Sequence, residues 1–101
     1  MEKELEGKEI EKSTKALDLL NFEAFPNPAG SEISLRFESK EKGDLMIEMV
    51  DLSGKWVNKE VRKNFTGKFE KRFDLSNAPK GNVIISITQN GKKYSHTIIV
   101  E

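Results

Sequence analysis

The sequence predicts an all-β fold: a seven-stranded antiparallel β-sandwich over residues 19–101, behind a flexible or partly helical linker over residues 1–18. Three observations carry this. Apolar residues recur with a period of two in short runs, as in Ile33, Leu35, Phe37 and again in Val83, Ile85, Ile87, which is the alternation of a strand with one buried face. Turn-forming residues separate these runs at spacings of roughly 8–12 residues, the rhythm of a sandwich or barrel. No apolar pattern of helical period intervenes, and 101 residues suit a single domain.

The elements follow in order. Residues 1–20 hold six acidic side chains (Glu2, Glu4, Glu6, Glu9, Glu11, Asp18) and four lysines (Lys3, Lys8, Lys12, Lys15), with the few apolar residues clustered late, at Ala16, Leu17, Leu19 and Leu20. So little apolar surface cannot offset the entropy of ordering, and a linker is expected. The Glu4–Lys8 and Glu11–Lys15 spacings support fractional helix there. Asn21-Phe-Glu-Ala-Phe25 reads as a first strand, stopped by Pro26-Asn-Pro-Ala-Gly30. Two prolines fix φ and remove two N–H donors, so this stretch is a loop. Residues 31–39 alternate through Ile33, Leu35 and Phe37, and Lys40-Glu-Lys-Gly43 reads as a charged turn.

Leu45, Ile47 and Met49 form the next strand. Asp51-Leu-Ser-Gly-Lys55 is a tight turn, with Gly54 suited to positive φ. Residues 56–61 form a short strand whose Lys59 and Glu60 suggest a guarded sheet edge. Residues 64–67 turn the chain, and Phe69, Phe73 and Leu75 line one face of the following strand. Asn77-Ala-Pro-Lys-Gly81 turns it again before Val83, Ile85 and Ile87. Asn90-Gly91 is a strong hairpin signal, because a type I′ turn needs two positive φ angles. Residues 94–100 close the domain. The expected core is Ile33, Leu35, Phe37, Leu45, Ile47, Met49, Val57, Phe69, Phe73, Leu75, Val83, Ile85, Ile87 and one of Ile98 and Ile99. The strand spacing fits an immunoglobulin-like sandwich.

Composition narrows the function classes. Lysines and arginines number 17 and so do aspartates and glutamates, with 34% of residues charged. A net charge of zero gives no general attraction to nucleic acid or anionic membrane. No apolar run reaches the ~20 residues of a membrane span. Met1-Glu-Lys-Glu-Leu-Glu6 is acidic and lacks an apolar stretch, so the reading is of a start without a signal peptide, as in a cytoplasmic protein or a fragment of an exported one. There is no cysteine, hence no disulfide framework and no thiol chemistry.

Catalytic chemistry is not expected. His96 is the one histidine, whereas a zinc site wants three or four nitrogen or sulfur ligands; it reads as a solvated strand residue. The serines mostly sit in turns or beside strand residues, where structure explains them, whereas nucleophilic catalysis needs a base and an orienter beside the nucleophile. Asp44, Asp51 and Asp74 lack the dense acidic spacing of a calcium loop and read as turn residues. Gly54, Gly67, Gly81 and Gly91 are isolated turn glycines, not a phosphate-cradling loop. The basic pairs Lys71-Arg72 and Lys92-Lys93 are too short for a nucleic-acid patch. The expectation is a non-enzyme without cofactor or metal.

Four blocks in the chain suggest more than a fold. They are Phe25-Pro-Asn-Pro-Ala-Gly30 with Ile33-Ser-Leu-Arg-Phe37, then Met49-Val-Asp-Leu-Ser-Gly-Lys55 with Val57, then Phe73-Asp-Leu-Ser76 with Ala78-Pro-Lys-Gly81, and last Gln89-Asn-Gly-Lys92 leading into residues 97–100. In this order the chain resembles the C-terminal sorting domains of type IX secretion substrates in Bacteroidetes, over residues 22–101. Val83 stands where that family usually has tyrosine, and Glu101 where it usually has a basic residue.

The resemblance implies a secretion signal read as a folded domain at the tail of a larger exported protein. Its implied partners are the type IX translocon, a surface protease that removes the tail, and an upstream cargo joined through residues 1–18. The implied destination is the cell surface or the medium, reached through the periplasm. Carried onto this sequence, the motif and recognition residues are Pro26, Asn27, Pro28, Gly30, Asp51, Gly54, Lys55, Asp74, Gly81, Gly91, Lys92 and Lys93. A monomer without nucleic-acid partner or stable membrane insertion is expected. The alternative is an immunoglobulin- or fibronectin-like module of a surface protein, acting as spacer, adhesin or glycan binder, for which Trp56 and Tyr94 are the candidate aromatics.

Overall fold

The computed structural model describes residues 15–101. It is all-β, with six strands: β1 (Lys15–Ala16), β2 (Leu20–Phe25), β3 (Glu32–Asp51), β4 (Trp56–Asp74), β5 (Gly81–Gln89) and β6 (Lys92–Val100). They form one sheet in the order β1-β6-β5-β3-β2, with β4 along the other side of β3. All pairings are antiparallel except β1 with β6.

Two expected turns are bends inside long strands, which merges the seven expected strands into five, and the short β1 makes six. Residues 40–43 do not reverse the chain. Ser39 still pairs with Gly67 and Gly43 with Phe65, so three residues of β3 bulge out opposite one residue of β4. Residues 64–67 are the matching irregularity in β4, where Asn64 and Gly67 take positive φ. Bulges bend a strand and sharpen its twist. Here they fold the long β3–β4 ribbon over on itself. The first half of β3 pairs with β2 and the second half with β5. The two layers expected of a sandwich are thus parts of one curled sheet that share β3 and β4.

The core lies inside this curl. Ile33, Leu35, Phe37, Leu45, Ile47, Met49, Phe69, Phe73, Leu75, Val83, Ile85, Ile87 and Ile98 are all buried, as the alternation predicts. Val57 is only partly buried against them. Of the two candidates in the final strand, Ile98 points inward and Ile99 is 47% exposed. Three core residues escaped the pattern: Leu17, Ala29 and Val100. Leu17 enters the core just after β1, and its N–H donates to the Lys93 carbonyl at 3.0 Å. The sheet therefore begins ahead of the expected boundary at residue 19, and residues 1–14 of the expected linker lie outside the described residues.

Each open side of the curl is closed differently. Between β2 and β6, Phe22 packs on Tyr94 (4.7 Å between ring centroids) and on His96 (5.0 Å). His96 is therefore half-buried, not the solvated residue expected. Along the other side β4 is an edge strand among the described residues, as Lys59 and Glu60 suggested, and there it pairs with β3 alone. Its inward positions carry Glu60, which accepts from Arg62 Nε at 2.7 Å and from Lys71 Nζ at 3.1 Å. Arg62 also lies over the Phe69 ring at 4.8 Å. Inward charges of this kind stop an edge from pairing with a neighbouring chain.

Candidate functional site

The twelve motif residues do not converge on one cleft. They gather at the two ends of the curled sheet. At the end away from the bends, the loop after β2 lies against the end of β6. The Phe25–Pro26 and Asn27–Pro28 peptide bonds are both cis, and the loop carries the Asn27 amide to β6. Asn27 Oδ1 accepts from the Ile99 N–H at 3.1 Å. The Ala29 N–H donates to the Ile99 carbonyl at 2.7 Å, and the Glu101 N–H donates to the Ala29 carbonyl at 2.8 Å. The Pro26-Asn27-Pro28-Ala29-Gly30 block is thus a clip on the outer edge of the final strand. Asn27→Ala is expected to lower stability by about 1 kcal/mol, read as a melting temperature lower by roughly 4–8 °C.

Asp51, Gly54 and Lys55 form the β3–β4 turn at the same end. Asp51 Oδ1 accepts from the Ser53 N–H at 2.9 Å, the Ser53 hydroxyl at 2.6 Å and the Lys55 N–H at 3.0 Å. Asp74 does the same after β4, accepting from the Ser76 N–H at 3.0 Å. Asn58 Nδ2 reaches the Asp74 carbonyl at 2.7 Å and ties the two ends of β4 together. Gly81 opens β5 at a φ of 123°, a region where other residues are strained. Residues 51–53 and 79–82 line one shallow depression.

Gly91, Lys92 and Lys93 lie at the opposite end, beside the bends. Asn90 and Gly91 both have positive φ (53° and 74°), the geometry of the expected type I′ hairpin. Lys92 pairs with Glu41, which also accepts from Asn90 Nδ2 at 2.9 Å. Asn90 Nδ2 further donates to the Lys42 carbonyl at 3.1 Å. A side chain at Gly43 would collide with Asn90. Lys93 stays exposed.

Sequence reasoning passed over the group that holds this end. Gln89 is fully buried. Its Nε2 donates to the carbonyls of Gly43 (3.1 Å) and Phe65 (3.0 Å), and its Oε1 accepts from the Ser39 hydroxyl at 2.6 Å. These carbonyls sit where the β3–β4 ladder breaks, so the amide replaces ladder bonds that the bulges remove. Buried backbone groups need such partners. A signal existed: Gln89 continues the inward register of Val83, Ile85 and Ile87, and Ser39 that of Ile33, Leu35 and Phe37.

The carboxylates share one electrostatic role. The Ser53 hydroxyl and Lys55 N–H hold Asp51 below the ordinary aspartate value of 3.8. The Asn64 N–H does so for Asp44, and the Ser76 N–H for Asp74. Lys92 and Asn90 lower Glu41, and Arg62 lowers Glu60, from 4.5. Each folded-state value lies below the unfolded one, so each contribution is present above the unfolded value and is lost as pH falls from there through the folded one. Urea midpoints are expected to hold near neutrality and to fall as pH drops through 4.5 and 3.8, with Glu60→Gln reducing the slope. All three aspartates weighed for calcium serve instead as acceptors for backbone N–H groups.

The arrangement is a self-contained scaffold whose motif residues build its turns and its clip. A model of the secretion system C-terminal sorting domain family matches residues 23–101. This chain belongs to that family. The matched span runs from within β2 through Glu101 and includes all four blocks. No curated protein and no solved structure matches the chain. In this sorting domain the family blocks coincide with the Asn27 clip, the Asp51 and Asp74 turns and the Asn90–Gly91 hairpin. Their residue types therefore have a structural reason before any partner is considered.

Proposed function

We propose that this domain directs an upstream cargo through the type IX secretion apparatus across the outer membrane. Cargo and tail cross the periplasm, and the product is secreted or held at the cell surface. The domain itself carries no catalysis. The observation that carries the reading is the family match over residues 23–101. The fold supports it. One core sealed by its own loops can form behind any cargo, and the curl leaves its turns and one outer face for recognition. The translocon and a surface protease that acts on the tail are the partners in this reading.

The test is a fusion of the whole chain behind a signal peptide and a fluorescent reporter, expressed in a Bacteroidetes host with a working type IX system. The expected result is reporter at the surface or in the medium, lost when the translocon is deleted. Retention in the periplasm with the intact domain would overturn the assignment. The glycan-binding alternative has less support. Trp56 is 58% exposed, but Tyr94 is packed on Phe22, which leaves one aromatic where a sugar-stacking platform wants several.

A further inference from the structure

The two outer faces of the curled sheet differ in chemistry. On the face formed by β2 and the adjoining halves of β3 and β4, charges pair across strands: Glu23 with Arg36 at 2.9 Å, Arg36 with Glu70 at 4.0 Å, and Arg72 with Glu32 at 3.2 Å. That face is built for water. The outer face of the other halves carries apolar rows as well as charge, the Asp44–Lys63 pair at 3.6 Å included. Its β3–β4 register sets Met46 beside Val61, Glu48 beside Lys59, and Val50 beside Trp56, and Ile84 continues the last row from β5. Trp56 is 58% exposed, Val61 49%, and Leu52 in the adjoining turn 71%. Clustered exposed apolar groups mark an interaction surface more often than scattered ones do.

We propose that this face binds a second copy of the same chain. The argument is the order of its rows. Place a two-fold axis in the contact plane, along the strands and between β3 and β4. Each β4 then lies across the β3 of the other copy. Trp56 meets Val50, Lys59 meets Glu48, and Val61 meets Met46, all at once and twice over. The unlike charges between the two apolar rows are therefore matched by the same rotation that matches the apolar residues, as an isologous contact requires. Equal numbers of basic and acidic residues, 17 each, leave no net repulsion between copies. A contact of two strands from each copy is small, so the dimer is weak and concentration-dependent. It departs from the expectation of a monomer and is independent of the export reading.

Sedimentation velocity on the whole chain, from micromolar to near-millimolar, tests it. The weight-average mass should rise toward twice the monomer. Trp56→Glu should stay monomeric throughout with an unchanged β-sheet circular dichroism spectrum, whereas Lys68→Glu on the charged face should dimerise like the wild type. Glu48→Lys should weaken association about tenfold, and adding Lys59→Glu to it should restore it. A wild-type chain monomeric at every concentration overturns the proposal, and so does a Trp56→Glu variant that still dimerises. A Glu48→Lys/Lys59→Glu double variant no better than the single also overturns it, because the two-fold register would then be wrong.

Discussion

Gln89→Leu is expected to destabilise the domain by about 3 kcal/mol or more, although leucine matches glutamine in size and is the more apolar residue. Three groups lose their partner at once: the half-buried carbonyls of Gly43 and Phe65 and the buried Ser39 hydroxyl. A buried polar group left unpaired costs roughly 1–3 kcal/mol. Ser39→Ala removes only one of the bonds and should cost nearer 1 kcal/mol. Equilibrium urea unfolding by tryptophan fluorescence checks both. If Gln89→Leu unfolds at the wild-type midpoint, the bends are held by the bulged backbone alone.

Deleting residues 94–101 is expected to abolish cooperative folding and, with it, export of the reporter. The deletion takes Ile98 and Val100 out of the core, removes Tyr94 and His96 from their packing on Phe22, and strips β5 of its neighbour. It also leaves Asn27 and Ala29 with nothing to hold. Core truncations of single large residues already cost ~2–5 kcal/mol, which is comparable with the whole stability of a small domain. Loss of the thermal transition and of the β-sheet spectrum are the readouts. Removing Glu101 alone breaks one hydrogen bond, to the Ala29 carbonyl, and should leave both fold and export intact.

Much of this was legible from the chain. Period-two alternation placed thirteen core residues on the inward face because a strand's side chains alternate whatever their neighbours do. Asn90-Gly91 and Asp51-x-x-Gly54 announced their turns through local chemistry. What was not legible depended on partners distant in sequence. Lys40-Glu-Lys-Gly43 has the composition of a turn, and only Gln89, arriving from β5, makes it a bend in a continuous strand. Leu17 is buried because β6 offers it a carbonyl 76 residues later. Glu60 read as a guard of the edge, but its partner Lys71 is brought over it only by the bend in β4. The motif residues were found by resemblance, but that they form two ends and not one cleft follows only from the curl.

The clip on β6 has a consequence for synthesis. The bond from Ile99 to Asn27 spans 72 positions, and the one from Glu101 to Ala29 spans as many. A ribosome delivers Asn27 well before Ile99. Until residues 92–101 have emerged, the first loop has no partner and β5 has an unpaired edge. The domain therefore forms only after its final residues exist. A polypeptide broken off before residue 92, however sound the sequence ahead of it, cannot close this shape. The strand made last among these six is the one that fixes the first loop.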